Sequence, residues 1–115
     1  MLFDTSVVID ILRKKREYQY GSISVITLIE VVRGTKDIEM AEVLVLLKQM
    51  FQVYDIGDDV ILVYSKLYNA LKQKRKNIAD ADLIIIATAH AKSEKLLTKD
   101  RNFETLSDIV DITIE

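Results

Sequence analysis

The chain has 115 residues, 50% hydrophobic and 30% charged, with formal net charge -2, one histidine, no cysteine and no proline. This describes one well-packed unit and excludes disulfides, a structural zinc site of the usual Cys/His kind and a chain-wide field that would gather nucleic acid. No apolar run approaches the roughly 20 residues that span a bilayer, and no basic-then-apolar leader opens the sequence, so a cytoplasmic protein is expected.

Met1 to Phe3 is short and apolar and predicts a strand, with Asp4-Thr5-Ser6 leading into a helix that carries Val8, Ile11 and Leu12. Asp4 therefore stands at a strand end, where open α/β sheets bind ligands and where a side chain also caps a helix. Arg13-Lys14-Lys15-Arg16 closes that helix as a solvated basic end, with phosphate binding as the other reading. Gly21 to Ile26 alternates, Ile23 and Val25 against Ser22 and Ser24, and predicts a second strand. Thr27 and Glu30 then have capping-box spacing, which explains Glu30 structurally before any chemical role is needed. Gly34 is placed to end this short helix in a left-handed conformation.

Ile38 to Met50 predicts a packing helix, with Ile38, Ala41, Leu44 and Val45 at the required spacing. Phe51 to Ile56 reads as a strand and Gly57-Asp58-Asp59 as a turn and cap. Val60, Tyr64, Leu67, Tyr68 and Leu71 trace one face of a long helix ending in the basic run Lys72 to Lys76. Asp80 fits as the N-cap of the next helix, with Asp82 in its first turn. Leu83 to Ala89 has only Thr88 as a polar residue, which predicts burial on most sides. His90, about two turns beyond Asp82, reads as a packing side chain outside any site. Lys95 to Thr98 predicts a strand, Lys99 to Phe103 leads into a brief helical turn, and Asp100 repeats the placement of Asp4. Val110, Ile112 and Ile114 alternate with Asp111, Thr113 and Glu115 as a last strand near an edge. Strands alternating with helices predict an α/β fold, a mainly parallel sheet covered on both faces, over a single domain of residues 1–115.

Asp4, Glu30, Asp82 and Asp100 come from four separate elements. If they converge, their like charges require protonation or a cation, and a hard divalent ion with oxygen ligands, Mg²⁺ or Mn²⁺, answers that need. The chemistry then implied is metal-assisted phosphodiester hydrolysis.

Four stretches, Leu2 to Asp10, Ser24 to Gly34, Ile78 to Ala87 and Leu97 to Phe103, resemble the motifs of PIN-domain proteins, specifically VapC-type toxin ribonucleases, in family order. The resemblance implies a PIN-like three-layer sandwich and an acidic pocket binding Mg²⁺ or Mn²⁺ for endonucleolytic cleavage of RNA. By matching position, Asp4, Glu30 and Asp82 are the core acids and Asp100 completes the quartet, with Thr5, Ser6 and Thr98 orienting them. Asn102 occupies a position where such proteins often carry another acid, and Asp80 is an extra acid beside Asp82. A homodimer and a small antitoxin that occludes the pocket are also implied. Two other readings compete: a receiver-like signalling domain, with Asp55 as phosphoacceptor and Lys99 as its cationic partner, and a PIN-like binding module with little catalysis.

Overall fold

A computed structural model describes all of residues 1–115. Its sheet has five strands, β1 Leu2–Phe3, β2 Ser22–Ser24, β3 Gln52–Tyr54, β4 Leu96–Thr98 and β5 Ile112–Ile114, in the order β3-β2-β1-β4-β5 and parallel throughout. The helices are α1 Thr5–Leu12, α2 Val25–Arg33, α3 Met40–Met50, α4 Asp58–Lys74 and α5 Asp80–Ala91. Side chains alternate across the central strands, as the pleat requires. Leu2 and Leu96 join a core with α4, α5, Phe103 and Leu106, while Phe3 and Leu97 join one with α1, α2, Leu47 and Phe51. The expected α/β three-layer sandwich is therefore formed, with β5 at an edge as its alternation predicts.

Several local expectations change. The second strand ends at Ser24, which caps α2 by accepting the Ile26 N–H at 3.0 Å, so Val25 and Ile26 are helical and the Thr27/Glu30 capping box does not exist. Gly34 does end α2, but at φ -82°, with no need of left-handed geometry. Asp80 is not the cap of α5; Ala79 stands there without a side-chain bond, and Asp80 is the first helical residue. In the stretch from Ile38, a 3-10 turn over Asp37–Glu39 precedes α3, and the spacing that predicts packing leaves Ile38 88% and Val45 55% exposed. Only Leu47 of α3 is fully buried. Gly21 is required by close approach: a Cβ there would lie 2.6 Å from the Phe3 ring and 2.8 Å from the Met1 carbonyl oxygen.

Strand order also removes the receiver-like reading. That fold places its strands 2-1-3-4-5, whereas here β2 lies between β3 and β1. Asp55 follows the edge strand β3, and Lys99 bonds Asp10 instead of Asp55. The order reverses between β1 and β4, so the crevice outside their carboxyl ends is the place where such sheets bind ligands.

Candidate active site

Asp4 leaves β1 into that crevice and is held by three donors. Its Oδ1 accepts the Thr5 N–H at 2.7 Å, and its Oδ2 accepts the hydroxyls of Thr98 at 2.7 Å and Ser6 at 3.2 Å. Burial pushes the carboxyl above its ordinary range; the bonds from Thr98, Thr5 and Ser6 oppose this, and the Glu30 charge adds to the rise. Asp4 thus caps α1 and faces the crevice at once. Thr98 is the joint between two acids, because its Oγ1 also accepts the Asp100 N–H at 3.0 Å. Asp100 in turn accepts the Asn102 N–H at 2.9 Å and starts the 3-10 turn Arg101–Leu106.

Glu30 lies inside α2, where the cap at Ser24 leaves its carboxylate free of the helix start. Thr5 Oγ1 donates to Glu30 Oε1 at 2.7 Å. A hydroxyl has one hydrogen, so in the 3.0 Å contact between Thr5 and Thr27 the donor is Thr27. Asp82 sits in the first turn of α5. Its pKa is raised to about 6, by burial first and then by the charges of Asp4, Glu30 and Asp100.

These side chains share one open pocket of about 340 Å³, lined by Asp4, Thr5, Ser6, Glu30, Asp82, Lys99 and Asp100, none of them hydrophobic. Three of the expected supporting residues stand outside the lining. Thr98 is buried beneath it, Asp80 accepts the Tyr64 hydroxyl at 2.6 Å, and the Asn102 amide reaches the Asn77 carbonyl at 3.4 Å. His90, expected to pack, is exposed in the last turn of α5. Lys99 is the lining residue that the motifs do not assign to the acid site. Its signal is present in the sequence, since it stands between Thr98 and Asp100 at a strand end.

A family model for the PIN domain matches residues 1–109. The chain belongs to the PIN-domain family. It is 39% identical to Ribonuclease VapC1 of Methanocaldococcus jannaschii over 111 residues, covering 94% of this chain and 82% of that protein, as the VapC-type motifs lead one to expect. Among solved structures, VapBC-1 from nontypeable Haemophilus influenzae aligns with a TM-score of 0.84 at 20% identity, over 98% of this chain and 96% of that one. VapBC2 from Rickettsia felis, solved bound to a DNA fragment from its promoter, aligns with a TM-score of 0.80 over the same shares, also at 20% identity. At those identities the likeness is one of fold.

Apart from the Lys99 ammonium, which cannot ligate a metal, the PIN pocket offers oxygen donors only, which suits a hard cation. No three of its carboxylates stand close enough together to chelate one ion at once. The fit is that of an ion kept largely hydrated and held by one or two carboxylates, which is how Mg²⁺ commonly binds. Burial is the first cause of the raised pKa of Asp82; the charges of Asp4, Glu30 and Asp100 add to it, and that added part is what a divalent cation would relieve. No helix of this PIN chain is long and apolar enough to cross a membrane.

Proposed function

We propose that this PIN-domain chain is a Mg²⁺- or Mn²⁺-dependent endoribonuclease, hydrolysing RNA phosphodiester bonds in the cytoplasm as the toxin of a toxin–antitoxin pair. The observation that carries the reading is the gathering of four acids from four elements on one open, wholly polar pocket. Membership of the family and 39% identity to a ribonuclease support RNA as substrate. Likeness of fold to VapBC structures supports a small antitoxin as partner. A homodimer belongs to the same reading, with residues 1–115 acting as a single domain.

In this mechanism Asp4, Glu30, Asp82 and Asp100 are the residues that would hold the ion. When bound, such an ion polarises the phosphate and makes nearby water more acidic. Asp82, half-buried in the first turn of α5 on the pocket wall, orients or deprotonates the attacking water. Thr98 and Ser6 aim Asp4, and Thr5, backed by Thr27, aims Glu30, so these carboxylates are set before substrate arrives. Asp80 and Asn102 support the pocket from outside its lining.

The test is cleavage of a mixed panel of structured and unstructured RNAs with Mg²⁺, Mn²⁺ or EDTA, comparing wild type with Asp82→Asn. Metal-dependent cutting that the substitution lowers at least about a hundredfold is expected, the scale on which a positioned acid–base group acts. Cutting untouched by the substitution would remove Asp82 from the centre. RNA held but never cut, whatever the metal, would favour a PIN-like binding module.

A further inference from the structure

A net charge of -2 and a pocket of carboxylates give a polyanion no reason to approach. Attraction must come from a local patch, and the chain has two basic runs. In the second, Lys74 is engaged by Asp108 at 2.8 Å and by the Thr105 carbonyl at 3.0 Å, and Lys72 lies over the Tyr68 ring. The first run behaves differently. After α1 the chain turns through Lys14 in the left-handed region, and the Lys15 N–H returns to the Asp10 carbonyl at 2.8 Å. That turn delivers Lys15 and Arg16 to a second pocket of about 280 Å³, completed by Asp10, Lys99 and Glu115. Lys99 also lines the acid pocket, so the two cavities share a wall.

We propose that Lys15, Arg16 and Lys99 form a seat for the phosphodiester backbone of single-stranded RNA, beside the nucleotide whose bond is cut. The proposal rests on the ribonuclease reading and says where that substrate lies. Three cationic side chains face two side-chain carboxylates in its lining. Lys15 makes no ion pair, Arg16 pairs with Glu115, and Lys99 donates to Asp10 at 2.7 Å. Both pairs are partly exposed and open onto the cavity, so a phosphate oxygen can take the place of a carboxylate. Until then Asp10 and Glu115 keep the long cationic side chains directed into the cavity. The Asp10 carboxyl registers the positive field: the Lys99 hydrogen bond holds it below its ordinary range, with the charges of Lys99, Lys15 and Arg16 adding to the effect. A seat of this kind reads phosphate and not base, so it contributes affinity without sequence preference.

The experiment is fluorescence-anisotropy titration of an unstructured RNA of about 12 nucleotides with the whole chain, in EDTA, from about 50 to 200 mM NaCl. In Lys15→Ala/Arg16→Ala the slope of log affinity against log salt should become shallower by about 0.7 for each phosphate that is no longer neutralised, on any RNA sequence. Lys72→Ala/Lys76→Ala should leave the slope unchanged. Asp10→Asn, which releases Lys99, should bind RNA more tightly, a direction that a purely structural Asp10–Lys99 pair would not produce. Melting curves establish that the variants are folded; should the double variant fail to fold, Lys15→Glu at an exposed, unpaired position carries the same test. If wild type binds and cuts RNA but the Lys15/Arg16 variant keeps its slope, or the Lys72/Lys76 variant loses slope instead, the seat is overturned and the ribonuclease stands. A wild type that neither binds nor cuts RNA overturns both.

Discussion

Asp4 and Asp82 look alike in sequence, each an acid at the start of a helix, and burial raises the pKa of both, but only Asp4 is held by hydrogen bonds that oppose the rise. Asp4 accepts three hydrogen bonds, whereas the pKa of Asp82 is set by burial and by neighbouring charges that all push it upward, to about 6. An acid whose pKa is raised in the native state keeps its proton there after the unfolded chain has released it. Native stability from this group is therefore full below the ordinary value of 3.8, declines as pH rises from 3.8 to about 6, and is constant above. Asp82→Asn removes the penalty. In EDTA near neutral pH the variant should be more stable than wild type by about 1 kcal/mol once solvent screening is allowed for, and so unfold at higher temperature, and the two should coincide near the ordinary carboxyl value. Thermal melts across that range check the sign; a variant less stable at neutral pH would mean that Asp82 is a structural acceptor. Asp4→Asn should give no such gain, because its amide nitrogen replaces one accepting oxygen, so either the Thr5 bond or those from Ser6 and Thr98 are lost.

At the scale of elements, the helix stops are made by residues poorly suited to them. Lys14, Arg75 and Ser93 adopt φ of 59°, 55° and 54° after α1, α4 and α5, while Gly34 ends α2 in ordinary right-handed geometry. A side chain in the left-handed region costs roughly 1–2 kcal/mol, partly offset in glycine by its greater freedom when unfolded. Arg75→Gly should therefore stabilise the chain by about 0.5–1 kcal/mol. Gly34→Ala should be tolerated, since its Cβ would meet the Glu30 and Val31 carbonyl oxygens at an ordinary 3.5 Å. Urea midpoints measure both, and a destabilised Arg75→Gly would show that the Arg75 side chain contributes more than its backbone geometry loses. The same scale explains why Glu30 reads as a cap in sequence. Thr27-x-x-Glu30 is a true local pattern, but Ser24 starts the helix three residues earlier.

For the whole molecule, the informative surface is the outer side of α3 with the turn before it. Ile38, Val45 and Leu46 stand exposed there, although the spacing of Ile38 and Val45 predicts a packing face. Apolar groups clustered in this way on a small protein suit an interface, and the homodimer of the proposed function needs one. Light scattering should return twice the chain mass, and Ile38→Glu/Val45→Glu should return the single-chain mass with the melting temperature little changed, because neither side chain is in the core. A dimer untouched by that variant would place the interface elsewhere.

The sequence by itself determined the elements and the architecture. Alternation in β5, three-to-four spacing in α4 and the apolar run Leu83 to Ala87 of α5 are written in consecutive residues, and strands alternating with helices imply a parallel sheet covered on both faces. Each candidate acid was likewise legible as an acid at an element's end or in its first turns. Convergence was not legible, because it depends on which strands become neighbours. Thr98 reaches Asp4 across 94 positions of sequence, and Thr5 reaches Glu30 across 25. Only the sheet order β3-β2-β1-β4-β5 puts the ends of β1 and β4 side by side, joins Asp4 to Asp100 through Thr98 and sets Lys99 between an acidic and a basic cavity. Local pattern records what each segment buries; which segments meet is decided by packing over the whole chain.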